Sequence, residues 1–175
     1  MNSEKQKVLD LLWNEPYKIG HWVGFNDLTT LHNEWLRSFL YTDIDQTLLA
    51  HRGSYKTTDL SLFLAIHTVI EPNENVMFFR KTDDDVTEVL VQTQKILKAG
   101  CMQWIVGTLY GVGLDFLKEN NSEIHTNLCT STKGVSQVVG LGIGTSITGK
   151  HADIVVTDDI VNLKDRISKA ERERT

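Results

Sequence analysis

Residues 46–66 read QTLLAHRGSYKTTDLSLFLAI, and their order decides the fold. A short apolar run, Gln46 to Ala50, reads as a strand, and a polar turn containing Gly53 follows it. Lys56, Thr57 and Thr58 then open a stretch to Ile70 that is apolar nearly all round. A helix with no polar face has to be buried, and a strand turning into such a helix is the repeating unit of an α/β protein with a parallel sheet. The same order suits a phosphate group. Backbone N–H groups at the helix start face an anion, a lysine adds a point charge for the outer phosphates, and the next hydroxyl can hold magnesium. Lys56 and Thr57 stand where those roles need them. The general pattern G-x-x-x-x-G-K-[ST] would place glycines at Ala50 and Tyr55 and is met at neither. On these residues alone, a plain strand-to-helix turn with an exposed lysine is an equal reading.

Upstream, Val8, Leu9, Leu11 and Leu12 follow a capping-box pattern of Ser3 with Gln6, predicting a short amphipathic helix to Trp13. Pro16 and Gly20 interrupt, and Leu31, Trp35, Leu36, Phe39 and Leu40 predict a packing helix from Thr29 to Leu40. These residues, 1–40, read as a helical lead-in to a core spanning 41–175. Downstream, Asn75 to Arg80 (NVMFFR) is a strand. Thr82 can cap a helix running to Gly100, with Asp83, Asp84 and Asp85 in the first turn where the macrodipole favours acids. Glu123 to Thr130 and Ser136 to Gly142 read as further strands after a less legible middle. Ala152 to Thr157 (ADIVVT) reads as a buried strand, and the spacing of Leu163, Ile167 and Ala170 predicts a final helix with no stop signal before Thr175.

The buried strand ends in Asp158 and Asp159. An acid delivered to a strand's carboxyl end is how P-loop ATPases hold magnesium, and a second acid beside it can orient or deprotonate the attacking water. Asp158 fits the first task and Asp159 the second, although glutamate is the more usual residue there. A pair of solvated acids capping the next helix is the plainer alternative. The phosphate-type turn comes first and the strand with two acids later, in the order an ATPase core requires.

Composition limits the partners. The chain has 175 residues with 41% apolar and 23% charged, room for one domain with a sizeable core and no sign of low complexity. Eighteen Lys and Arg against 23 Asp and Glu leave a net charge of -5, so any contact with nucleic acid must be local. Cys101 and Cys129 form no CxxC pair, which fits a reducing cytosol. No apolar run approaches the ~18 residues of a membrane span, and MNSEKQKV lacks the order of a secretory signal. The protein is expected to be soluble and cytoplasmic. No H-x-x-x-H pair supports a zinc hydrolase, and Ser54, Ser131 and Ser146 lack a nucleophile-elbow context. The glycines Gly140, Gly142, Gly144 and Gly149 read as a turn between strands, permitting positive φ or close backbone approach. Arg80 and Lys81 read as a solvated strand end, with contact to DNA or to a neighbouring subunit's nucleotide as the sharper alternative.

AHRGSYKTT, FFRKTDDDV and TGKHADIVVTDDIVNLKDRIS together resemble the N-terminal ATPase domain of the large terminase subunit, the motor that packages DNA into tailed-phage capsids. The resemblance runs from about Leu28 to the end and is most specific from Thr148 to Ser168. It implies a P-loop NTPase of the RecA-like (ASCE) type, a three-layer sandwich around a largely parallel sheet that lacks strands on its C-terminal side. Terminases carry an irregular Walker A loop, often with an arginine, which accounts for the missing glycines. By that resemblance Arg52, Gly53, Ser54, Tyr55, Lys56, Thr57 and Thr58 hold ATP, Thr57 and Asp158 hold magnesium, and Asp159 takes the catalytic acid's place. Lys56 and Arg52 would stabilise the transferring phosphoryl group. His32 and Trp35 lie near the family's adenine-binding element, where glutamine is usual. The implied partners are double-stranded DNA, further copies in a ring on a capsid portal, and the small terminase subunit, in the cytoplasm of a bacterial host.

A terminase large subunit continues into a coupling strand and a nuclease domain, neither of which these residues contain. The sequence therefore also allows an inert truncated module, a prophage remnant or split product that binds nucleotide or a packaging partner without turnover. A helicase-like enzyme shares both segments but would need a second RecA-like domain.

Overall fold

A computed structural model describes residues 3–145 and 151–160, and the chain divides into two compact units. One comprises Met1–Ile70 and Gln92–Asp115, the other Glu71–Val91 and Phe116–Thr175. The first is helical. It holds α1 (Ser3–Asn14), α2 (Tyr17–Trp22), α3 (Thr30–Tyr41), α4 (Lys56–Ile70), the later part of α5 (Asp83–Lys98), and α6 (Gly100–Tyr110).

In α1 the i, i+4 pair Val8 and Leu12 is buried, and Leu36 of α3 is fully buried. Phe39 of α3 meets Phe63 of α4 edge to face at 6.1 Å. Every residue of α4 from Asp59 to Val69 is buried, as its all-round apolar pattern requires. Two helices escaped the sequence reading. The short α2 follows Pro16, and α6 buries Met102, Ile105 and Val106 at helical spacing while Gly100 and Gly107 weaken its propensity signal.

The strand expected at Gln46–Ala50 does not form. A strand exists through a ladder, and the described residues of the helical unit contain none. Instead the Gln46 amide donates to the Ser38 carbonyl at 2.9 Å, turning the segment back onto α3, and Leu49 is 91% exposed.

The second unit contains an open five-stranded mixed sheet in the order β2-β3-β4-β1-β5, together with the start of α5. Its strands are β1 (Val76–Arg80), β2 (Phe116–Glu119), β3 (Glu123–Thr126), β4 (Val138–Gly142) and β5 (Ile154–Thr157). The central strands are parallel, β4 and β5 flanking β1, while β2 and β3 run antiparallel at one side. The class is α/β. β1 and β4 bury nearly every residue, the signature of strands covered on both faces. β5 corrects the expectation of a buried strand. As an edge strand it has no outer neighbour among the described residues, its exposure alternates, and Val155 is 61% exposed. The helix expected from Leu163 lies outside the described residues, as does Gly149.

The cap predicted for α5 is present: the Thr82 hydroxyl accepts the Asp85 N–H at 3.2 Å and donates to the Asp85 carboxylate at 2.6 Å. Gly140 and Gly142 belong to β4 rather than to a turn, and they let the start of α5 approach the sheet. A Cβ on Gly140 would lie 2.3 Å from Val86 Cγ1, and one on Gly142 2.9 Å from the Asp83 backbone nitrogen. Asp83 closes the contact by accepting the Gly142 N–H at 2.8 Å.

Since backbone cannot move aside as a side chain can, Gly142→Ala is expected to cost about 1–3 kcal/mol, a fall in melting temperature of about 2–4 °C per kcal/mol at this size. Thermal unfolding followed by circular dichroism checks it, and an unchanged midpoint would show that α5 is not held against β4 in this way.

Candidate functional site

The turn before α4 is built from left-handed residues. Gly53 has φ +82°, and Tyr55 has φ +57°. Tyr55 is one of the two sequence positions where the general phosphate-loop pattern expects glycine, and the backbone there adopts the conformation that favours glycine. A tyrosine in this region costs of order 1–3 kcal/mol, and its side chain finds partners that offset the strain. The Tyr55 hydroxyl donates to Asp27 Oδ2 at 2.8 Å, a bond that also raises the phenol's pKa. Its ring lies 6.2 Å from His32, edge to face. Lys56 and Thr57 are the first residues of α4, with Thr58 following, so the N–H groups of this turn have no acceptor within the helix, the arrangement by which helix N-termini receive anions. Arg52 lies in the turn and is exposed.

His32 braces this turn. Its Nδ1 accepts the Thr29 backbone N–H at 2.9 Å, which puts the ring proton on Nε2, and Nε2 donates to the Ser54 carbonyl at 3.1 Å. The ring is buried and both nitrogens are engaged, so the imidazole holds α3 to the loop. Trp35, one turn further along α3, instead lines an open groove with Ser38, Phe39, Gln46 and Leu48. Ser54 is buried, and its hydroxyl finds no hydrogen-bond partner among the described residues.

Sequence reading passed over Asp59, in the first turn of α4. It is completely buried, and neither carboxylate oxygen has a hydrogen-bond partner among the described residues. Burial pushes its pKa from the ordinary 3.8 to about 8, outweighing the helix dipole, which favours the anion. The signal was an acid inside an otherwise apolar stretch.

The sheet unit holds the second group. The Asp158 N–H donates to the Phe79 carbonyl at 2.9 Å, continuing the β1–β5 ladder by one step past Thr157 and setting Asp158 beside Arg80. Arg80 Nη2 lies 3.3 Å from Asp158 Oδ2 and 3.7 Å from Asp159 Oδ2. Arg80 and Asp158 side chains are 11% and 12% exposed, whereas Asp159 is 60% exposed. Asp159 has φ +47°, so the chain turns sharply where the second acid sits. Arg80 is therefore no solvated strand end. Its burial and its partners correct that expectation.

The predicted residues thus assemble as two groups. Residues 52–58 and His32 come together in the helical unit; Asp158 and Asp159 come together in the sheet unit, with Arg80 added. Among the described residues no cluster of three or more His, Cys, Asp or Glu side chains is placed to hold a metal ion. Magnesium needs no such cluster, since it keeps several waters and binds through one or two carboxylates plus phosphate oxygens. Asp158, already facing a cation, fits that donor set. No helix among the described residues is long and apolar enough to cross a membrane. Comparison with protein-family models, curated proteins and solved structures finds no match to this chain.

Below about pH 4 Asp59 is protonated in both folded and unfolded chains, and above about pH 8 it is ionised in both. Between these values the folded state holds a proton that the unfolded state has lost, so this residue's contribution to stability declines as pH rises through the window. Asp59→Asn lacks that dependence. Its stability relative to the parent should grow by on the order of a few kcal/mol from pH 5 to pH 8 in urea unfolding. An equal difference at both pH values would show that Asp59 ionises normally.

Proposed function

We propose that this chain is an ATP-hydrolysing P-loop domain of the terminase large-subunit type, whose turnover drives double-stranded DNA into a capsid. The observation that carries the reading is the left-handed backbone at Tyr55, directly before Lys56 and Thr57 at the start of a buried helix. A strained non-glycine residue in a loop is a pointer to function, and here it falls at a glycine position of a phosphate-binding loop. The resemblance of residues 148–168 to the terminase Walker B segment supports the assignment of Asp158 and Asp159.

In this reading the N–H groups of the turn and of the first turn of α4 cradle the phosphates. Lys56 lays its charge on the outer phosphates, and Arg52, exposed in the same loop, adds a second cation as charge spreads over the transferring group. A bound magnesium would neutralise phosphate charge, and Thr57 and Asp158 are the residues that the terminase resemblance implies would hold it. By the same resemblance Asp159 would orient the attacking water. Trp35 and the groove beside it take the adenine, while His32 keeps the Ser54 carbonyl in place. The protein would work in the bacterial cytoplasm as one subunit of a portal-bound ring, with the small terminase subunit delivering DNA.

A second reading, a module that binds nucleotide without hydrolysing it, draws on Asp159. Its carboxylate is a methylene shorter than the usual glutamate and already leans toward Arg80. Isothermal titration with Mg-ATP and a phosphate-release assay, each with and without DNA, separate the two: binding without release favours the inert module.

Lys56→Ala is expected to abolish detectable ATP turnover and leave the circular dichroism spectrum intact. A Lys56→Ala protein as active as the parent would dismiss the site. Tyr55→Gly is expected to keep ATP affinity within about threefold of the parent, because glycine adopts φ +57° without strain. Tyr55→Val should lose affinity at least tenfold, since a branched Cβ resists that conformation. Equal affinity for Gly and Val would mean that the backbone at 55 does not shape the phosphate site.

A further inference from the structure

Arg80 occupies a place the ATPase reading does not assign. It is the last residue of β1, and the parallel register brings it beside Asp158 at the carboxyl ends of two neighbouring strands. Its side chain is one-tenth exposed, so its charge is largely withdrawn from water. Nη1 donates to the Asp85 carbonyl at 3.3 Å, and Nη2 faces both the Asp158 and Asp159 carboxylates. Nε is buried with no hydrogen-bond acceptor among the described residues. The guanidinium is thus offset in charge while its donor set is incompletely used. A buried cation in this state favours whatever geometry brings carboxylates to it. Neighbouring acids do not compete for it strongly: Asp83 is committed to the Gly142 N–H, and the Asp85 carboxylate accepts from the Thr82 hydroxyl.

We propose that Arg80 is a positioning residue that gathers Asp158 and Asp159 in the metal-free protein and yields Asp158 when a divalent cation arrives. The guanidinium and the metal are alternative partners of one carboxylate, so they compete. When Asp158 turns to the metal, Asp159 stays with Arg80, which places the second acid relative to the first. The proposal rests on the ATPase reading for the identity of the metal site, but the competition itself needs no nucleotide.

The test is a Mn²⁺ titration of the nucleotide-free full chain, followed by the electron paramagnetic resonance signal of free Mn²⁺. Arg80→Gln should bind Mn²⁺ at least fivefold more tightly than the parent, and the gain should vanish in Arg80→Gln/Asp158→Asn. Arg80→Lys keeps the charge but loses the planar fork, and should fall between parent and Gln. It decides the matter if circular dichroism shows that the Gln variant does not fold. Unchanged or weaker Mn²⁺ binding, or a gain that survives Asp158→Asn, overturns the proposal; a parental value for Arg80→Lys does so where the Gln variant is unfolded. A parent that binds no ATP while the Mn²⁺ pattern holds would remove the ATPase reading and leave the competition standing.

Discussion

α4 is buried on every side from Asp59 to Val69, and the chain enters it through a tight turn. In this protein the turn is achieved by left-handed residues at Gly53 and Tyr55, directly before Lys56. The requirement at Gly53 is met at no cost. At Tyr55 it is met against the residue's own preference, and the Asp27 bond and the His32 ring hold the result. His32 also takes the Ser54 carbonyl, so α3, the turn and the start of α4 form one braced piece. The Asp27 bond and the His32 brace both hold that turn.

The sheet unit is organised around β1, the strand with parallel neighbours on both sides. Its residues are buried because both faces are covered. Its last residue therefore brings a guanidinium into a dry place, where carboxylates must answer it. β5 supplies them, and its edge position leaves the acids near solvent at one side: Asp158 is nearly buried and Asp159 is not. One ladder step beyond Thr157 thus separates two acids of the same chemistry into two environments.

Asp59 and Arg80 are two answers to burying charge. Arg80 keeps its charge and recruits partners. Asp59 finds none and gives up its charge instead, with its pKa pushed to about 8. Which solution a site takes depends on what the fold brings within reach, and the residue's identity does not announce it.

Helix and strand positions along most of the chain could be read from its residues, because periodicity reports which face is apolar whatever packs on it. α1, α3, α4, β1, the cap at Thr82 and the acids after β5 were all legible in this way, and so was the candidate phosphate turn. Failures came where a partner decides. Residues 46–50 have strand composition but no ladder, β5 has a buried strand's composition but an edge position, and α6 was hidden by its glycines. By itself the sequence determined local geometry, since propensity, capping and side-chain period act over a few residues. Only the tertiary structure decided the left-handed backbone at Tyr55, the charge of Asp59 and the pairing of Arg80 with Asp158. Strain, desolvation and ion pairing are set by neighbours distant in the chain, and no stretch of residues carries that information alone.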